Sequence, residues 1–217
     1  MSGIRAGFFM VTFYVIRHGE TAANRGGVFQ GHLDVPLSEK GRKQAELVAK
    51  ALCNVHFDAV YSSDLSRAAE TARAIMRYHD CNFVLDRRLR EINGGKMQGM
   101  TEEEVAREFP EFGRALEADR YNARRPGGES YADLDQRIGR ALDDIYSWHA
   151  GKAGGATVGV VSHGGAIRCM LKASDPDPLL IRRVVGNCTI TVLESDGSGW
   201  RAVTTGDGAH LSCLGEE

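Results

Sequence analysis

Hydrophobicity is nearly unbroken from Phe9 to Ile16, and β-branched and aromatic residues predominate there. Such a run predicts a central parallel strand covered on both faces. It stops at Arg17-His18-Gly19. From Ser38, a candidate N-cap, Ala45, Val48, Ala49 and Leu52 recur at helical spacing as far as Cys53-Asn54. Ala59 to Ser63 reads as a second, short strand. Asp64 is placed as the cap of a following helix, whose apolar stripe is Leu65, Ala68, Ala69, Ala72, Ile75 and Met76. This β-α-β-α alternation predicts a layered α/β fold.

Phe83-Val84-Leu85 is read as a third strand. The pattern then breaks at Gly94-Gly95, a Thr101-x-x-Glu104 capping box and a charged stretch to Arg125. Residues 92–129 are therefore assigned to a cap inserted into one domain that spans 1–217. Ser130 with Asp133 opens a long helix that carries Leu134, Ile138, Ala141, Leu142, Ile145 and Trp148 on one face. Thr157 to Ser162 forms a strand leading directly into His163-Gly164-Gly165 and another helix. Cys188 to Leu193 and Trp200 to Thr204, joined by Asp196-Gly197-Ser198-Gly199, predict a closing hairpin.

Composition narrows the function classes more than the fold. The 217 residues are 42% hydrophobic and 26% charged, ordinary for a globular domain. The net charge of -2 gives no electrostatic reason to expect nucleic acid or a membrane surface as partner. Five scattered cysteines (Cys53, Cys81, Cys169, Cys188 and Cys213) show no Cys-x-x-Cys spacing, and a reducing cytoplasm fits them. Arg5 followed by Ala6 to Ile16 has the charge and length of a signal-peptide head. No small-x-small cleavage site follows it, the run is too short to span a bilayer, and a buried strand explains it better.

Ligands of open α/β sheets bind beyond the carboxyl ends of the strands, which is where Arg17-His18 and His163 fall. Two histidines are thus expected to share one site. A neutral imidazole attacks phosphorus without a separate base, provided its other nitrogen is held in one tautomer. Gly19 is expected to leave the backbone room to approach an anion, and Gly164-Gly165 to offer helix N-terminal amides to phosphate oxygens. Phosphoryl transfer spreads negative charge over equatorial oxygens, so it needs fixed cations. Arg17 is one. Arg67, about one helical turn past the second strand, is another, with a guanidinium suited to bidentate binding. Singly, Arg67 reads as a solvated helix residue and His163 as a core histidine; their convergence at strand ends decides between the readings.

The motifs Arg17-His18-Gly19-Glu20-Thr21 with Asn24, Ser62-Ser63-Asp64-Leu65-Ser66-Arg67-Ala68 with Thr71-Ala72, Leu89-Arg90-Glu91-Ile92, Gly127-Gly128-Glu129-Ser130 and Ser162-His163-Gly164-Gly165 occur in this order. Together they resemble the histidine phosphatase superfamily, also called phosphoglycerate mutase-like, over residues 11 to 190. The resemblance implies a three-layer α/β/α fold with a mostly parallel central sheet and a small cap. It further implies that His18 is the phosphorylated nucleophile, that Arg17, Arg67 and His163 form the phosphate pocket, and that Glu91 protonates the leaving oxygen. Asn24 and Thr21 are implied as substrate contacts, with Gln30 and Gly31 lining the mouth of the site and Gly164 beside the phosphate. A leaving alkoxide needs a proton, which a partly desolvated carboxyl with raised pKa supplies. No cofactor or metal is expected, since neither a Mg²⁺-like carboxylate cluster nor a Gly-x-x-x-x-Gly-Lys loop occurs.

Met97-Gln98-Gly99 departs from the Trp-Glu-Gly of many relatives, and Gly206 to Leu211 keeps only the Ala-His-Leu of a common ending. The basic, proline-rich cap segment of the family's phosphoglycerate mutases is absent between Glu91 and Gly127. The reading favoured is therefore a metal-independent phosphatase acting on small phosphorylated metabolites. A mutase and a non-catalytic phosphate- or protein-binding module are the alternatives. Arg124-Arg125 reads as a solvated basic pair that could instead hold a substrate carboxylate or second phosphate. A homodimer is left open.

Overall fold

The computed structural model describes residues 9–175 and 185–214. The stretch before Phe9, with Arg5 of the signal-like run, lies outside the described residues. One six-stranded sheet organises the chain in the order β3-β2-β4-β1-β5-β6. Strands β1 (Val11–Arg17), β2 (Ala59–Ser62), β3 (Asn82–Leu85) and β4 (Ala156–Ser162) are mutually parallel. The hairpin β5 (Ile190–Ser195) and β6 (Trp200–Asp207) adds two antiparallel strands beside β1.

The continuous hydrophobicity of β1 follows from its place between β4 and β5. Val11, Phe13 and Val15 face one side and Ile16 the other, all fully buried. The first side is covered by α6 (Tyr131–His149) and α7 (Gly164–Lys172), through Leu134, Ile138, Leu142, Ile145, Ile167 and Met170. The second is covered by α2 (Glu39–Leu52) and α3 (Ser66–Met76), through Val48, Leu52, Ala68, Ala72 and Ile75. The result is the three-layer α/β/α arrangement with a mostly parallel sheet. The cap carries α4 (Glu102–Glu108) and α5 (Pro110–Ala118) over a separate small cluster of Met97, Phe112 and Ala123. Among the described residues no helix is long and apolar enough to cross a membrane.

Helix starts follow side-chain chemistry. Ser38 accepts from the Gly41 amide, while Thr101 with Glu104 and Ser130 with Asp133 close the two anticipated capping boxes. Asp64 does not cap α3. Its carboxylate is drawn to Arg90, with both Arg90 Nε and Nη2 donating at 2.6 Å, and α3 begins at Ser66 after an uncapped Leu65. A bidentate charge-assisted pair outcompetes one cap bond. Trp148 also departs from expectation: it is 59% exposed and stacks on Tyr61 instead of entering the core.

Candidate active site

The parallel register of β1 and β4 pairs Arg17 with Ser162, so the residues that follow, His18 and His163, emerge side by side. Their ring centroids lie 5.0 Å apart. The His18 amide donates to the Ser162 carbonyl at 3.0 Å, which continues the sheet one step into the site. Both rings are almost wholly buried.

The His18 ring has a defined tautomer. His18 Nδ1 lies 2.7 Å from the Gly19 carbonyl. A carbonyl only accepts, so Nδ1 carries the proton and Nε2 keeps its lone pair. His163 Nε2 lies 2.8 Å from Ser63 Oγ, one residue past the end of β2. Its Nδ1 is buried without a partner among the described residues. Burial holds His18 well below the ordinary histidine pKa of 6.5, and the Arg17 and Arg67 charges reinforce this. Burial likewise holds His163 well below that value, with Arg67, His18 and Arg17 adding to the effect. Both imidazoles are therefore neutral at neutral pH.

Arg67 is 1% exposed. Its Nη1 donates to the Leu33 carbonyl and its Nη2 to the Gly31 carbonyl, both at 2.8 Å, leaving the buried Nε unpaired. Burial lowers its pKa to about 10, so it remains charged at neutral pH. Arg17 donates from Nη1 to the Val185 carbonyl, and its buried Nε is likewise unpaired. Burial lowers the Arg17 pKa as well. Two neutral histidines and two buried guanidiniums with orphaned donors make a cluster suited to a dianionic phosphoryl group.

Glu91 is close enough to act electrostatically on both guanidiniums. Its Oε2 accepts from the Gly165 amide at 2.9 Å and its Oε1 from the Ile92 amide at 2.8 Å. The Gly165 amide is thus committed to a carboxylate at the N-terminus of α7, and is not the free phosphate donor the sequence suggested. A Cβ on Gly165 would lie 2.3 Å from Glu91 Oε1. Gly165→Ala is expected to push the carboxylate out of place and cost about 10²-fold in alkyl phosphate turnover. The melting temperature should not fall, because alanine favours the helix. Unchanged turnover would show that the Glu91 position is immaterial. Gly19 also has a different task from the one anticipated. Its amide donates to Thr71 Oγ1 at 3.1 Å, and a Cβ there would meet the Gly41 carbonyl at 2.4 Å, so the missing side chain admits the start of α2.

The remaining candidates fall around the mouth. Thr21 is fully buried, caps the short α1 (Ala22–Arg25), and places its hydroxyl 3.1 Å from Asn24 Oδ1 and 3.0 Å from Gln30 Oε1. It therefore orders Asn24 and Gln30 from behind. Gly31 adopts φ +51°, and its missing side chain admits Gln98 and the Gly94 amide. Gly164 packs against the Arg17 guanidinium.

Several contributors carried no separate sequence signal. Ser63 bonds His163 Nε2, while Thr71 bridges Gly19 and the Arg67 carbonyl. Asn187 donates to the His18 carbonyl at 2.9 Å. Arg137 binds the carbonyls of Arg88, Arg90 and Glu91, and pairs with Glu129 at 2.7 Å. His32 Nε2 adds a bond to the Glu91 carbonyl at 2.8 Å. Ser63, Thr71 and Glu129 stand inside the quoted motifs, which mark them without stating what they hold. Asn187, Arg137 and His32 stand outside them. Among the described residues no cluster of three His, Cys, Asp or Glu side chains could hold a metal.

Comparison with known proteins gives the same picture. The chain is 37% identical over 204 residues to phosphoglycerate mutase-like protein 4 of Arabidopsis thaliana, covering 93% of this chain and 87% of that one. Among solved structures, YhfR of Bacillus stearothermophilus superposes with a TM-score of 0.83 at 31% identity, over 93% of this chain and 99% of its own. A mycobacterial glucosyl-3-phosphoglycerate phosphatase superposes with a TM-score of 0.79 at 29% identity, over 92% and 99% of the two chains. The family model of the histidine phosphatase superfamily, branch 1, matches residues 13–208, and the chain belongs to that family.

Proposed function

We propose that this histidine phosphatase hydrolyses small phosphate monoesters through a phosphohistidine on His18, with Glu91 as the proton donor. The tautomer of His18 carries the reading. Its Nδ1 proton is held by the Gly19 carbonyl, so Nε2 keeps its lone pair in a ring that has Arg17, Arg67 and His163 as neighbours.

In the first step Nε2 forms a bond to phosphorus as the ester P–O bond breaks. Glu91 gives its proton to the departing alcohol oxygen. Charge on the three equatorial oxygens is met by Arg17, Arg67 and the Nδ1–H of His163. In this reading Ser63 Oγ, 2.8 Å from His163 Nε2, donates to it, and the ring proton stays on Nδ1. In the second step the Glu91 carboxylate takes a proton from water, whose oxygen attacks phosphorus. His18 departs as the neutral imidazole it was, and inorganic phosphate leaves.

Rapid acid-free quenching with a ³²P-labelled ester should trap an acid-labile, alkali-stable phosphoenzyme that maps to His18. Label on any other residue, or none during turnover, would refute the reading. Substrate choice is read from a panel of metabolite phosphates, including 3-phosphoglycerate with and without 2,3-bisphosphoglycerate. Phosphate release is expected to outrun isomerisation; the reverse would make the chain a mutase.

The buried histidines also set the response to acid. Their folded pKa values lie below the unfolded value of 6.5, so the unfolded chain binds more protons in that range. Stability therefore rises with pH up to about 6.5 and is lost as pH falls below it, at up to about 1.4 kcal/mol per pH unit for each histidine. The acid limb of kcat/KM should likewise lie below 6.5, because His18 keeps its lone pair there. Denaturant melts and a pH-rate profile check both; an acid limb above 6.5 would show that His18 is not held neutral.

A further inference from the structure

The cap contains a buried charge to which the chemistry above gives no task. Arg125 is 6% exposed, where the sequence suggested a solvated pair. Its guanidinium carbon stands 5.1 Å from the Tyr131 ring centroid, 5.5 Å from Phe29 and 5.7 Å from Phe112. Nη1 donates to the Glu129 carbonyl at 3.2 Å, the guanidinium also bonds the Tyr131 hydroxyl, and the buried Nε has no partner among the described residues. The neighbouring carboxylates are already taken: Asp133 by Arg124 and Glu129 by Arg137, each at 2.7 Å. Among the described residues Arg125 makes no contact ion pair. A desolvated cation without a counter-charge is costly, and three aromatic faces compensate it only in part.

This guanidinium lines a cavity of about 310 Å³ whose other walls include Val28, Phe29, Met97, Phe112 and Leu116, with one carboxylate, Glu102. One segment that lines this cavity runs on into the reacting centre. Phe29 precedes Gln30 and Gly31, and Gly31 holds Arg67 through its carbonyl. The Glu91 carboxylate is close enough to act electrostatically on Arg125.

Building on the phosphatase reading, we propose that this cavity receives the alcohol half of the substrate, and that the preferred esters carry an apolar body ending in a carboxylate bound by Arg125. Nε together with the outer Nη matches the two oxygens of one carboxylate. A second phosphate dianion would need more cations than the single one this lining provides, and Glu102 would oppose its double charge more strongly than the single charge of a carboxylate. The size suits a ring or a short branched chain.

The test compares 4-(carboxymethyl)phenyl phosphate with 4-ethylphenyl phosphate, whose phenols are of similar acidity, on the intact protein and on Arg125→Leu and Arg125→Lys. The protein should prefer the carboxylated ester by about 10- to 100-fold in kcat/KM, chiefly through KM. In Arg125→Leu the ratio should collapse towards one, and Arg125→Lys should restore part of it. Arg125→Leu should melt no lower than the parent, since it removes an uncompensated buried charge. Turnover of both esters without preference, or equal losses on both with a lowered melting temperature, would overturn the proposal and leave the phosphatase reading standing. Failure to release phosphate from any ester would overturn both.

Discussion

His18→Ala is expected to lower phosphate release by at least about 10⁴-fold, with no phosphoenzyme detectable, because it removes the atom that bonds to phosphorus. The loss should be in kcat, whereas product phosphate should still bind, since Arg17, Arg67 and His163 remain. The variant should stay folded. It exchanges a buried neutral ring, bonded through Nδ1 to a carbonyl of the next residue, for a small cavity beside a sheet that is otherwise untouched. Residual turnover within tenfold of the parent would remove His18 from the nucleophile's role. Phosphate binding by fluorescence or calorimetry separates a lost nucleophile from a lost site.

Glu91→Gln should divide substrates by their leaving groups. Glutamine keeps the shape, and its carbonyl oxygen can still accept from the Gly165 amide at 2.9 Å, although its NH2 cannot replace the oxygen that accepts from the Ile92 amide. It cannot supply a proton. Alkyl phosphates, whose alkoxides need protonation, should lose about 10² to 10⁴-fold in kcat, and 4-nitrophenyl phosphate far less. Equal losses on both classes would assign Glu91 to positioning alone. The two effects are independent in origin: one variant removes bond formation to phosphorus, the other assistance to bond breaking.

The main outlines of this site were legible because hydrophobic runs are long where strands are central. Val11 to Ile16 and Val158 to Val161 could be recognised as buried strands, and the rule that sites lie at carboxyl ends then brought His18 and His163 together. Arg125 was misread for the opposite reason. The rings that enclose it, Phe29, Phe112 and Tyr131, come from three separate segments, so no local window distinguishes it from its exposed neighbour Arg124. Asp64 was misread because a cap is a local inference, whereas its actual partner, Arg90, is 26 residues away. Gly19 was assigned to anion approach because glycine beside a histidine says only that a side chain is unwelcome. That the excluded volume belongs to Gly41 depends on how α2 docks.

Asn93 and Glu129 stand at the two feet of the cap and are bonded to each other: the Asn93 amide donates to Glu129 Oε2 at 2.8 Å, and the Glu129 amide to the Asn93 carbonyl at 2.9 Å. The intervening 35 residues therefore leave and rejoin the main body through one doorway. Glu91 stands outside that doorway, fastened to α7 and α6 through Gly165 and Arg137. Evolution, or an engineer, can thus exchange the segment between the two feet as a cassette while Glu91 stays on the frame that carries His18.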